Sequence, residues 1–290
     1  TFSQVTSTIG QNGRRGALML SLDCTHPELI DFINIKTDLN KVTKANISVR
    51  VNDDFMKAVE NDEDWVLHFE AENDKMEKVV KAKEVFKLLC RNNWDFAEPG
   101  ILYWSRIEDY NLLSEDDEFE YAGVNPCAEE PLPNGGSCLL GSINLSAYVN
   151  DKIFDMCAFK KDIHTIVKAM NDVLDQGLPL HPLQIQRDTV RDYRQIGIGV
   201  MGIADMLIKL ELKYDTDEAI EICDTIGKVL ADESIKVSAL LSKEEGHYPK
   251  YKPSILTSEF LKKNTSVETY ELVKKYGLRN SQLLTIAPFN

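Results

Sequence analysis

The apolar residues of this 290-residue chain change period from one segment to the next, and that switching limits its fold more than any other feature. Ile47, Val49 and Val51 alternate with polar residues, as do Trp65, Leu67 and Phe69, which is the period-2 pattern of half-buried strands. Val79, Val80, Ala82, Val85, Phe86 and Leu89 recur instead at helical spacing. Phe159, Ile163, Val167, Met170 and Leu174 form a second helical stripe. Ile222, Ile226, Val229, Val237 and Leu241 form a third, with Gly246 beyond its end. Arg15–Leu22, Ile101–Trp104 and Leu283–Ala287 read as short strands, and GIGVMGIADMLIKL (197–210), apolar nearly all round, predicts a buried helix. Strands and helices thus alternate along the chain, which implies α/β architecture.

Local signals add detail. Thr25-His26-Pro27-Glu28 has capping-box spacing ahead of LIDFI, and Asn52 or Asp53 suits the cap of a helix following the 46–51 strand. Pro126, Pro131, Pro133 and Gly135-Gly136 exclude a long helix there, and NGG (134–136) predicts a turn. The acidic run SEDDEFE (114–120) reads as a solvated loop.

Lys and Arg number 33 against 47 Asp and Glu, a net charge of -14, so neither nucleic acid nor an anionic membrane is expected as a partner. No apolar run approaches the roughly 20 residues of a membrane span, and no signal peptide is visible. The six cysteines are sparse and include no CxxC, so a reducing, cytoplasmic setting is expected, with the scattered histidines giving no metal site.

The stretch NPCAEEPLPNGGSCLLGSINLS (125–146) carries the chemistry. Asn125, Cys127 and Glu129 stand two apart, so in an extended segment amide, thiol and carboxylate share a face. A carboxylate disfavours the thiolate that ordinary cysteine catalysis needs. A thiol kept protonated can instead give up a hydrogen atom, the carboxylate can act as general base on a substrate hydroxyl, and the amide can hold that hydroxyl. The turn at 134–136 can return Cys138, a second thiol with reducing power, towards Cys127. On composition alone an ordinary loop fits these residues as well. Cys24, Cys90, Cys157 and Cys223 read as inert packing.

The same residues strongly resemble the finger-loop region of ribonucleotide reductase large chains, especially those of the adenosylcobalamin-dependent class. QNGRRGALM (11–19), HPELIDFINIK (26–36) with NISVRVNDDFMKAV (46–59), YRQIGIGVMGIADML (193–207) and RNSQLLTIAP (279–288) resemble further blocks in the same order. The resemblance covers essentially the whole chain. It implies that residues 1–290 are part of a ten-stranded α/β barrel, with the radical cysteine on a central finger loop. It implies that Cys127 is the thiyl radical that takes hydrogen from the ribose 3′ carbon, with Glu129 as base on the 3′ hydroxyl and Asn125 as its hydrogen-bond partner. Cys138 becomes one half of a redox pair. Gln11, Arg14, Arg15 and Gly16 fall in the loop linking effector identity to substrate choice. Two residues depart from the common pattern: Asn12, and Ala128 where the family usually has glycine.

The implied activity is reduction of ribonucleoside diphosphates or triphosphates, with a nucleoside triphosphate effector, a dithiol reductant such as thioredoxin, and a homodimeric full-length enzyme. Adenosylcobalamin is the implied radical source; a class using a separate metal-containing radical subunit is the alternative. These 290 residues are expected to be part of a longer enzyme and inactive alone, and a non-catalytic barrel unit is the competing reading. GIGVMG (197–202) also fits a dinucleotide fingerprint, but no clear apolar strand precedes it, so no Rossmann site is expected.

Overall fold

The computed structural model describes residues 5, 6, 8, 16–71 and 74–288. These form two compact units: residues 1–109 with 124–128, and residues 110–123 with 129–290.

In the first unit, β1 (Met19–Asp23) lies parallel to β2 (Asn46–Val51), which lies parallel to β5 (Gly100–Tyr103). Between β1 and β2 runs α1 (Leu29–Asn34). After β2, Asn52 caps α2 (Asp53–Asn61): its side chain accepts from the Phe55 amide at 2.8 Å, as its residue type predicts. β3 (Asp64–Ala71) and β4 (Asp74–Lys81) pair antiparallel, then α3 (Ala82–Phe96) leads to β5 and α4 (Trp104–Asp109). Leu29, Ile33, Val49, Val51, Phe55, Leu67, Val85 and Leu89 form the core together with fully buried Cys24. Trp65 donates its indole N–H to the Cys24 carbonyl at 2.8 Å, which ties the hairpin to β1.

Two local expectations change here. Val79 and Val80 belong to β4, and the helix begins only at Ala82. The capping box does not form: the helix starts at Leu29, its cap Glu28 makes no side-chain bond, and Thr25 bonds Asp23 instead. The Asp23 carboxylate, 2.7 Å from the Thr25 hydroxyl, takes the group that a cap would need.

In the second unit, β6 (Leu140–Asn144) pairs parallel with β7 (Gly197–Met201). Between them run α5 (Met156–Gly177) and α6 (Gln184–Tyr193); after β7 come α7 (Ile203–Lys209), α8 (Asp217–Glu245), α9 (Glu259–Asn264) and α10 (Val267–Tyr276). The predicted stripes of α5 and α8 face one core, where Phe159, Ile163, Val167, Ile226, Val237 and Leu241 are buried. Gly246 follows α8 as its C-cap.

The predicted helix over 197–210 is a correction: its first five residues form β7, and only Ile203–Lys209 is helical. An apolar run buried on all sides has no period to read. Leu283–Ala287 is likewise no full strand: Leu284 makes a single parallel bridge to Ile198. The glycines of β7 admit this neighbour, since a Cβ on Gly199 would stand 2.2 Å from the Thr285 carbonyl oxygen. The loop at 114–120 is anchored more firmly than a solvated run: Asp116 is 7% exposed and accepts from Lys252 at 2.6 Å.

The α/β expectation holds. Among the described residues the strands form one three-stranded sheet and separate two-stranded ladders, with no closed barrel. No helix among them is long and apolar enough to cross a membrane.

Candidate active-site segment

Pro126 sets its own φ, and the chain turns at once: the Ala128 amide donates to the Asn125 carbonyl at 2.9 Å. Asn125–Ala128 is therefore a tight turn, and the extended segment expected from the two-residue spacing does not occur. Ala128 adopts φ +67°, a conformation that costs an L-residue about 1–2 kcal/mol, which gives a physical reason for glycine in the family pattern. Asn46 at the start of β2 holds the turn through a 2.8 Å bond to the Pro126 carbonyl. Asn125 is 9% exposed, whereas Cys127 is exposed. Both belong to the first unit.

Glu129, Glu130 and Cys138 belong to the second unit. Glu129 is half-buried, and its carbonyl accepts from the Thr285 hydroxyl at 2.8 Å. Two residues on, the Pro131 carbonyl accepts from Gln195 Nε2 at 3.0 Å. Between these anchored carbonyls sits Glu130, only 2% exposed. Burial pushes its carboxyl up to about 7; the Cys138 side chain works the other way, and the charge of Glu129 adds to the rise.

The NGG turn forms as expected, with the Gly136 amide donating to the Pro133 carbonyl at 2.9 Å and Gly135 at φ +75°. Thr189 on α6 closes it from outside through the Asn134 carbonyl, 3.0 Å away. Cys138 then emerges exposed at a cleft of about 240 Å³, walled also by Leu174, His181, Val190 and Gln195.

Of the remaining sequence candidates, Gln11, Arg14 and Arg15 lie outside the described residues, and Gly16 is exposed ahead of β1. Sequence reasoning missed Glu130, Thr285 and Gln195. Glu130 was hidden by its neighbour, because only Glu129 has the two-residue spacing from Cys127. Thr285 and Gln195 reach the segment across 156 and 64 positions, a separation that no local pattern records. GIGVMG is no dinucleotide loop: Gly197 and Gly199 lie inside β7, packed against Thr285, and only Gly202, at φ +72°, sits at the strand-to-helix turn. Among the described residues no group of three or more His, Cys, Asp and Glu is placed to hold a metal ion.

A protein-family model described as the barrel domain of ribonucleotide reductase matches residues 1–290. The chain is 37% identical over 290 residues to a vitamin B12-dependent ribonucleoside-diphosphate reductase of Thermoplasma acidophilum, covering 99% of this chain and 35% of that protein. It is 30% identical to a protein of the same name from Mycobacterium tuberculosis, covering 92% and 38%. It is 27% identical to a ribonucleoside-diphosphate reductase subunit alpha of Chlamydia pneumoniae, covering 97% and 32%. The chain thus spans about a third of the length of these relatives.

Proposed function

The chain belongs to the ribonucleotide reductase barrel-domain family, and from that membership we propose that the polypeptide carrying it reduces ribonucleotides to 2′-deoxyribonucleotides by radical chemistry. The observation that carries this is the whole-length family match, in a chain that retains Asn125, Cys127, Glu129 and Cys138 together. In this reading residues 1–290 are one stretch of a ten-stranded catalytic barrel and 125–138 its finger loop.

Each residue has a task suited to its chemistry. The exposed Cys127 thiol gives and takes the hydrogen atom at the ribose 3′ carbon. Glu129 takes the proton of the 3′ hydroxyl, and the Thr285 bond to its carbonyl fixes its backbone. Asn125 hydrogen-bonds at the ribose. Cys138 and a second thiol supply two electrons and two hydrogens as they close to a disulfide, so that the 2′ hydroxyl leaves as water and C–H replaces C–OH. Gln11, Arg14, Arg15 and Gly16 form the loop that carries effector identity to the substrate base.

The relatives named for vitamin B12 are more alike to this chain than the alpha subunit is, which favours adenosylcobalamin over a radical subunit. That cofactor would supply the initiating radical when bound. No residue of this chain is assigned to hold it, and no step above runs through it. A nucleoside diphosphate substrate follows the relatives' names; a dithiol reductant, a nucleoside triphosphate effector, a homodimer and a cytoplasmic location complete the proposal.

The test is an assay of the full-length polypeptide carrying this sequence, with a dithiol and CDP or CTP, with and without adenosylcobalamin. Cobalamin-dependent deoxynucleotide that vanishes in Cys127→Ser is the expected result. Product only after adding a metal-containing radical subunit would transfer the proposal to that class, and none under either condition would overturn it.

A further inference from the structure

Thr285 is held by three constraints at once, all within the second unit. Its amide donates to the Ile198 carbonyl at 3.1 Å, and the Ile198 amide donates to the Leu283 carbonyl at 2.7 Å, so its backbone is fixed along β7. Its γ-methyl lies against Gly197 and its carbonyl against Gly199, where any Cβ would collide with them. A β-branched side chain is stiff at χ1, and with the methyl seated there the hydroxyl donates to the Glu129 carbonyl at 2.8 Å. Thr285 is only 8% exposed, so its hydroxyl needs a protein acceptor.

Glu129 supplies the complementary observation. One of its carboxyl oxygens, Oε2, is closed off from solvent and has no hydrogen-bond partner among the described residues. Oxygens in such a setting are nearly always bonded, and a group that accepts a substrate proton has a use for an open one. Two residues on, the Pro131 carbonyl accepts from Gln195 Nε2 at 3.0 Å, so the main chain of 129–131 is pinned at both ends.

We propose that Thr285 is the positioning residue of Glu129: its hydroxyl, directed by the glycine seat of β7, fixes the main chain from which the carboxylate reaches the substrate hydroxyl, with Oε2 open to take the proton. In that step the substrate O–H bond breaks, an O–H bond forms on the carboxylate, and one negative charge passes to the sugar oxygen with the total unchanged. Thr285 acts through Glu129 and takes no part in the transfer. A valine in its place fills the same seat but leaves the Glu129 carbonyl without its donor. A serine keeps the donor and loses the methyl that directs it.

The proposal rests on the reductase reading for the role of Glu129. Its test uses the full-length polypeptide with a dithiol, adenosylcobalamin and radiolabelled CDP. Thr285→Val is expected to lower kcat about tenfold to a hundredfold, with KM held within about twofold, and Thr285→Ser to recover most of the loss. In a Glu129→Gln background Thr285→Val should cost nothing further, because the group it positions is gone. A full additional loss in that background would overturn the proposal, since it would show that Thr285 supports the fold at large. So would native turnover in Thr285→Val, or a Thr285→Ser variant as slow as Thr285→Val. Thr285→Ala carries the same comparisons if Thr285→Val fails to fold. Hydrogen exchange of the peptide spanning 128–132 needs no turnover: it is expected to quicken in Thr285→Val and not in Thr285→Ser, and unchanged exchange in both would overturn the anchoring. A native enzyme that is inactive, with exchange that follows the hydroxyl, would fault the reductase reading and leave the anchor standing.

Discussion

Glu130 leaves a mark on stability. Its carboxyl stands at about 7 in the folded chain against an ordinary 4.5. Between those values the folded state keeps a proton that the unfolded state has released, so this contribution is full below about pH 4.5 and is lost as pH rises to 7. The shift corresponds to at most about 3 kcal/mol. The unfolding free energy from urea titration is expected to be lower at pH 8 than at pH 5 by that order in the native chain, and Glu130→Gln should remove most of the slope; an unchanged slope would place the raised acid elsewhere. Asp175 behaves oppositely: the Arg194 guanidinium, 2.9 Å away, holds its carboxyl below the usual range, so its contribution is present above that range and lost as pH falls through it. Asn280 completes the same buried knot. It is fully buried, donates to the Arg194 carbonyl at 2.9 Å and to Asn171 Oδ1 at 3.0 Å, and accepts from the Ser238 hydroxyl at 3.1 Å. Asn280→Ala strands several of these groups at about 1–3 kcal/mol each, so a loss near 3 kcal/mol is expected in urea unfolding.

Among the elements, β7 shows why part of this fold was legible and part was not. Helices α5 and α8 keep one apolar face and one polar face, so their period survives in the sequence and their stripes were read correctly. The first four residues of β7 are buried and the run has no polar side, so strand and helix give the same pattern. Its glycines were the missing signal, since they matter only once Thr285 lies against them. A Cβ on Gly199 would stand 2.2 Å from the Thr285 carbonyl oxygen, and one on Gly197 would stand 2.4 Å from its Cγ2. Gly199→Ala is therefore expected to cost more than about 2 kcal/mol, because backbone must move. Gly227, inside α8, has nothing within 4 Å of a built Cβ. Gly227→Ala should instead stabilise by about 0.5–1 kcal/mol. Thermal unfolding of the two variants checks both signs, and equal shifts would remove the packing argument.

For the molecule as a whole, the candidate site was legible as a set of residue types but not as a geometry. Asn125, Cys127, Glu129 and Cys138 could be picked out because Asn125 and Glu129 stand two residues to either side of Cys127 and because a second thiol follows the NGG turn. The supports of the 129–138 stretch could not, since Thr285, Gln195 and Thr189 bond its carbonyls from far along the chain within the second unit. The two cysteines then differ in kind, and that difference gives the sharpest functional prediction. If Cys127 moves the hydrogen atom and Cys138 supplies reducing power, abstraction precedes reduction and does not need Cys138. Cys127→Ser in the full-length polypeptide should abolish both deoxynucleotide formation and tritium release from substrate labelled at the ribose 3′ carbon. Cys138→Ser should abolish deoxynucleotide formation with a dithiol, yet keep Cys127-dependent release of that tritium. Loss of both signals in Cys138→Ser, with the fold intact, would mean that Cys138 acts before the radical step. Retained turnover in Cys127→Ser would remove radical chemistry from this chain.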